Sequence, residues 1–485
     1  MSEWRDKSGN NYHATQTESL LQPNYLSSMN PKRVVFDKVD DQMIVTLPLV
    51  NSTMVLSTTN GTAAYGITIP AGSYEIGGHC DVLASVCGFM PDNHIIEQII
   101  STVPLNNTEI DNIISYMRNK GGGNNYGSVV DFQDYWYNWS EITSFPSIDT
   151  SNGIFFTNTW KNNYGLTSFP LLDLSSGTNF AAAWQNCSLL ISFPAVSTSN
   201  GTNFINTWAG CSSLTSFPSI DTSSGTDFSG AWSDCSLLTS FPSISTANGL
   251  YFGNAWNGCS GLTSFPLINT GAGTNFFGSW YLCSSLTSFP LLNFASATTV
   301  SSAWAGCSSL ASFPSINTSS VTNFSNAWYG CSSLTSFPSI DTSSATNINS
   351  AWGDCQNLTS FPSISTDSVT NFSNAWYNCG NLTSFPLLST TSGTTFARSW
   401  YYCTSLSTFP ANFFDGCSAT NFTDAFSLTN LTETSIDNIL ISINSNNTSN
   451  GTFNQSGGES PSLLGKAAID SLRSRGWTIS VTGGY

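Results

Sequence analysis

Twelve tryptophans, each 24 residues from the next, constrain this chain more than any other feature. They run Trp136, Trp160, Trp184, Trp208, Trp232, Trp256, Trp280, Trp304, Trp328, Trp352, Trp376 and Trp400, without a slip. A Phe-Pro pair follows nine residues after each one, from Phe145-Pro146 to Phe409-Pro410. Cys stands third after Trp in ten copies, from Cys187 to Cys403, and Trp139 and Asn163 hold that slot in the first two. A register this strict means that each copy is one supersecondary unit whose apolar face is buried only by stacking on its neighbours.

Each copy carries two periods. Phe324, Ala327, Trp328 and Cys331 lie at i, i+3, i+4 and i+7, which predicts one face of a short helix capped by Thr322 or Asn323 and ended near Gly330. Leu334, Phe337 and Ile340 then point inward from an extended segment. Pro338 has no N–H to give a ladder, so the strand is predicted to be very short, Leu334 to Phe337, and parallel to its neighbours. The expected fold is an α/β repeat: a solenoid of twelve 24-residue coils over residues 133–430.

The repeat Gly210-Cys211-Ser212-Ser213-Leu214-Thr215-Ser216-Phe217 and its echoes, each leading through an Asp/Ser/Thr stretch to the next Trp segment, resembles the BspA-type leucine-rich repeat. Here Trp takes the helix slot and Phe-Pro the strand slot. The resemblance implies a leucine-rich-repeat solenoid in a surface, adhesion or recognition protein. The Trp/Phe-Pro version is similar to repeats of marine bacteriophage structural and tail-fibre proteins. Near the start, Trp4-Arg5-Asp6-Lys7-Ser8-Gly9-Asn10, His13-Ala14-Thr15-Gln16 and Phe36-Asp37-Lys38-Val39-Asp40-Asp41 resemble the opening of concanavalin-like (laminin-G-like) jelly rolls. That likeness implies a remodelled β module and carries no sugar-binding residue with it.

The flanks differ from the repeats. Residues 1–122 read as a small β-rich attachment domain, with strands at 43–47, 53–56 and 65–69, a turn at Pro70-Ala71-Gly72, and a terminal helix with Ile110, Ile113, Ile114 and Met117 on its apolar face. Residues 123–132 read as a Gly-rich linker. Residues 431–485 read as an α/β cap: a helix around Thr434–Leu440, a loop from Ser445 to Ser460, a second helix from Ser462 to Ser474, and a closing strand from Trp477 to Val481.

Charge is scarce. Only 8% of the residues are charged and the net charge is −17. Just ten charges lie between Phe145 and Pro410: Asp149, Asp173, Asp221, Asp227, Asp234, Asp341, Asp354, Asp367, Lys161 and Arg398. A neutral rod of this kind has no basic stripe for nucleic acid. No run of about 18 apolar residues is present, so no membrane insertion is expected, and no signal peptide follows Met1.

No catalytic, cofactor or metal site is predicted. His79, Cys80, Cys87 and His94 match no zinc spacing, and His13 stands apart. Asp221, Asp227 and Asp234 share one coil, the nearest approach to a carboxylate pair. Lys120 to Asn124 lacks the phosphate-loop order. The Cys and Trp columns read as core, and the Thr column (Thr215, Thr239, Thr263, Thr287, Thr335, Thr359) as a solvated hydroxyl face.

The function expected from these readings is a non-enzymatic virion structural protein, a tail-fibre or appendage component that acts as spacer or host-recognition surface. Its partners would be other virion proteins through the N-terminal region, a host glycan or receptor, and further copies of itself. A bacterial cell-surface adhesin is the alternative, and a polysaccharide-active enzyme the third.

Overall fold

The computed structural model describes residues 130–485, apart from 141 and 146, together with the backbone of nine strands between residues 2 and 101. The chain divides into two compact units, Met1–Gly201 and Thr202–Tyr485.

In the first unit, β1 (Ser2–Arg5), β2 (His13–Gln16), β5 (Gln42–Thr46) and β8 (Ser73–Gly77) form one antiparallel sheet in the order β1-β2-β5-β8. A second antiparallel sheet runs β3 (Asn24–Leu26), β4 (Arg33–Val35), β9 (Ile95–Ser101), β6 (Ser52–Thr58), β7 (Gly61–Ile69). The strands read at 43–47, 53–56 and 65–69 are β5, β6 and β7. The turn at 70–72, the helix around 108–117 and most of the linker lie outside the described residues. Asp131 and Phe132, read as the end of that linker, belong to the first coil. Asp131 makes a parallel bridge to Phe155, and fully buried Phe132 stacks on Phe156 at 5.3 Å. Trp136, Trp160 and Trp184 follow in register, 5.6 and 4.9 Å apart.

The second unit holds the coils of Trp208 to Trp400. The short helix predicted in each coil is not there. Its place is taken by three successive β-turns. In the coil of Trp328, Ala327 N–H donates to Phe324 O, Tyr329 N–H to Asn326 O, and Cys331 N–H to Trp328 O, at 2.9–3.1 Å. Asn326 and Gly330 take the left-handed conformation, φ +56° and +74°, which interrupts any helix. The intervening amides point along the stack. Phe324, Asn326, Trp328 and Gly330 donate to Asn347, Asn349, Ala351 and Gly353 of the next coil at 2.8–2.9 Å. Every amide from Phe324 to Gly330 except that of Ser325 is thus bonded to main chain, and Ser325 N–H bonds Asn323 Oδ1 at 3.0 Å. The residue read as a helix cap caps a turn instead.

The predicted strand shrinks to single parallel bridges such as Ser336↔Ser360, because Phe-Pro follows at once and proline has no N–H to extend the ladder. A second ladder is built from side chains. Buried Thr246 and Thr270 donate Oγ1–H to the carbonyls of Asn269 and Asn293 in the next coil, each at 2.6 Å.

The core is a stack of aromatic columns. From Trp208 to Trp400 adjacent indoles lie 5.3–5.8 Å apart and within 10° of parallel. Each meets phenylalanines edge-on, as Trp328 meets Phe337 at 4.7 Å and 71° and Phe313 at 5.2 Å and 79°. Burying ~200 Å² of indole at ~25 cal/mol per Å² contributes about 5 kcal/mol per tryptophan as an upper bound.

The stack ends in a cap. Phe426 takes the tryptophan slot, 4.9 Å from Trp400 and within 5° of parallel. It lies on β10 (Asn421–Ser427), which pairs in parallel with β11 (Thr452–Ser456), and β11 pairs with β12 (Thr478–Ser480). The predicted 445–460 loop therefore contains a strand. Two helices complete the cap, α1 (Glu433–Ser445) and α2 (Leu463–Ser474), with Thr432 and Ser462 as N-caps. No helix among the described residues is long and apolar enough to cross a membrane.

Candidate functional site

The chemistry sought in the repeats is spent on structure. Each column cysteine is a buried thiol that forms no disulfide. The Cys331 thiol donates to Trp304 O at 3.3 Å, and Cys259, Cys283 and Cys307 repeat the contact one coil apart. Burial pushes the Cys307, Cys355 and Cys403 thiols up to about 12, so they stay protonated and unreactive. The tryptophans are buried in the same column set and offer no exposed ring.

The carboxylates of the shared coil hold turns. Asp221 Oδ1 accepts from Ser223 N–H and Asp227 Oδ1 from Ser229 N–H, both at 2.9 Å. The bonds from Ser223, main chain first, pull the Asp221 carboxyl below its usual range, the reverse of what a general acid needs. Asp149 and Asp341 are lowered by Ser151 and Ser343, there by the side-chain bond first and the main-chain bond second. Among the described residues no group of three or more His, Cys, Asp or Glu is placed to hold a metal. His13 falls on β2, of which the backbone alone is described. His79, Cys80, Cys87, His94 and Lys120 to Asn124 lie outside the described residues.

The exposed threonine column is also partly committed. Thr239, Thr263, Thr287 and Thr359 each donate Oγ1–H to the carbonyl of the equivalent threonine one coil earlier, at 3.2–3.3 Å. What faces water from this column is a row of acceptors.

The surface feature that sequence reasoning missed stands directly after the tryptophans. In the second unit this column reads Tyr281, Ala305, Tyr329, Gly353, Tyr377, Tyr401 over six successive coils. Because Trp points in, the next residue points out. Tyr281 and Tyr329 are each 37% exposed, while Ala305 and Gly353 between them are buried. Tyr329 lies across Gly353, where an added Cβ would come within 2.9 Å of the ring. The Asp354 side chain beside Tyr329, together with burial, raises the pKa of its hydroxyl to about 12. Asn378 Nδ2–H donates to Asp354 Oδ1 at 2.6 Å. Tyr377 and Tyr401 stack 5.7 Å apart and 4° from parallel. Arg398 sits over the Tyr401 ring at 5.8 Å and pairs with Asp424 at 3.8 Å. Leu250, Tyr251, Phe277, Leu282 and Tyr402 are exposed as well. The legible signal was tyrosine recurring after Trp at intervals of 48, 48 and 24 residues.

Two solved structures resemble this chain. One is a leucine rich cell surface protein from Faecalibacterium prausnitzii A2-165, with 16% identity and TM-score 0.30 over 52% of this chain and 75% of that one. The other is a leucine-rich repeat protein from Eubacterium ventriosum ATCC 27560, with 12% identity and TM-score 0.27 over 57% of this chain and 88% of that one. No protein-family model and no curated protein matches the chain.

Proposed function

We propose that this chain is a non-enzymatic recognition and spacer protein that works on an exposed biological surface, and that the surface is a virion appendage. The observation that carries the reading is the division of labour within each coil. Thiols, indoles and one threonine column are consumed by the interior, while hydroxyls, amides and the tyrosine seam face solvent. Such a unit is suited to rigid display. Coil-to-coil hydrogen bonds hold the display surface from many points at once, which suits a spacer that must not collapse. The virion assignment follows the sequence resemblance to phage structural repeats, with the N-terminal region as the attachment point to other virion proteins.

The test is where the chain resides. Mass spectrometry of gradient-purified particles is expected to recover its peptides. Recovery only by protease shaving of intact producing cells would replace the virion with a cell-surface adhesin. Recovery from neither would remove both. Release of reducing ends from host polysaccharide by the pure protein would overturn the non-enzymatic part.

A further inference from the structure

We propose that the tyrosine seam from Tyr281 to Tyr401 is a binding track for a neutral polysaccharide laid along the stacked coils. The inference deepens the recognition role proposed above and rests on it. Three observations point to this ligand class. First, the seam is periodic along the stack. Tyrosines stand on alternate coils, Tyr281, Tyr329 and Tyr377, and then on adjacent ones, Tyr377 and Tyr401, with coil-to-coil indole spacings of 5.3–5.8 Å. A linear polymer of rings with a similar step meets an equivalent group again and again, whereas a compact ligand would use only one coil. Second, the seam combines ring surface with fixed polar groups. Asp354 Oδ1 accepts from Asn378 Nδ2–H at 2.6 Å, which holds carboxylate and amide in place. Tyr281 and Tyr329, each 37% exposed, offer ring surface to the C–H patches of a sugar, and a held carboxylate and amide suit its hydroxyls.

Third, the charges select against an anionic polymer. Between Phe145 and Pro410 the cations are Lys161 and Arg398. Arg398, the one beside the seam, is already paired with Asp424 and covers Tyr401. Asp354 adds negative charge at the middle of the track. An acidic glycan or nucleic acid would find repulsion there and no free cation on the seam. The side chains are also held before binding. Gly353 seats Tyr329, and Tyr377 and Tyr401 stack on each other, so little rotamer entropy remains to be lost.

The experiment is affinity electrophoresis of the full-length protein in native gels cast with laminarin, dextran or yeast mannan, with hyaluronate as the anionic comparison. At least one neutral polymer is expected to retard the protein, and hyaluronate is not. The double variant Tyr281→Ala/Tyr329→Ala is expected to weaken that retardation at least tenfold, and Tyr329→Phe several-fold. Ser339→Ala, on another exposed column, leaves it unchanged. Matching thermal unfolding midpoints show that the variants are folded. Retardation by none of the neutral polymers, by hyaluronate alone, or equally in wild type and seam variants would overturn the proposal. So would sedimentation showing wild-type self-association that the seam variants lose, since the seam would then join copies of this chain. Location on particles is read independently of the gels, so failure here and failure of the surface role are separable.

Discussion

At the residue scale, two kinds of position decide the coil. The inward column tolerates exchange, and in one coil a neighbour compensates for it. The coil of Trp304 has Val300 where its neighbours carry phenylalanine, and Phe294 from the preceding turn fills the gap, 4.7 Å from Phe276 and 5.6 Å from Trp304. The left-handed positions two residues before and after Trp are held mostly by Asn, Asp and Gly, which take positive φ at least cost. A matched pair separates conformation from space. At Gly330, φ +74°, an added Cβ meets nothing closer than 3.7 Å, so Gly330→Ala is expected to cost about 1–2 kcal/mol from backbone strain. At Gly258, φ +72°, the same change also collides with Asp234 Oδ1 and is expected to cost more. Urea unfolding followed by tryptophan fluorescence ranks the two, and equal costs would show that the collision relaxes.

The thiols give the pH dependence at the same scale. Their folded pKa is raised by burial, to about 12 at Cys307 and Cys403, above the unfolded value near 9. Below about pH 8 both states are protonated and stability is at its full value. As pH rises from about 9 towards 12 the unfolded chain ionises first, and each such thiol withdraws roughly 1.4 kcal/mol per pH unit. Urea midpoints are expected to be flat from pH 6 to 8 and to fall above pH 9. Cys307→Ala should make that fall shallower, and an unchanged slope would show that the thiols are not its source.

At the element scale, the cap was legible where polar and apolar residues alternate in the usual way. Ser462 caps α2 and the closing strand lies where Trp477 to Val481 place it. The strand β11 was not legible, because its inward positions are Phe453 and Gln455, and a buried glutamine breaks the apolar alternation. Gln455 is satisfied by Thr482, whose N–H donates to Oε1 at 3.0 Å, a contact no local pattern announces. Buried Asp437 ties the two helices by accepting from Ser462 N–H at 3.0 Å and from its hydroxyl. Asp437→Ala is therefore expected to destabilise the cap by about 1.5–3 kcal/mol. Thr432→Ala, which removes only an N-cap, should cost about 1 kcal/mol. Thermal unfolding of the two variants checks the order.

At the scale of the whole molecule, a stack of open coils needs an end that offers no free ladder. Phe426 covers Trp400, and β10 to β12 turn the coil bridges into a short sheet. A chain stopped at Ser418 would leave Trp400, Phe396 and Phe409 at an open edge. It is expected to aggregate or associate end to end, as light scattering would show. A monodisperse monomer would show that the cap is dispensable.

The sequence by itself determined the period, the register and which side chains are buried, because a strict 24-residue repeat admits one inward face. It also placed the cysteines in the core and excluded a basic surface. It did not determine the backbone within the coil. The spacing i, i+3, i+4, i+7 is met equally by a helical face and by consecutive turns. The choice was made by amides that bond to the next coil instead of to their own. That choice exists only once coils are stacked. The same stacking aligns tyrosines that lie 24 or 48 residues apart into one seam, which no single copy contains.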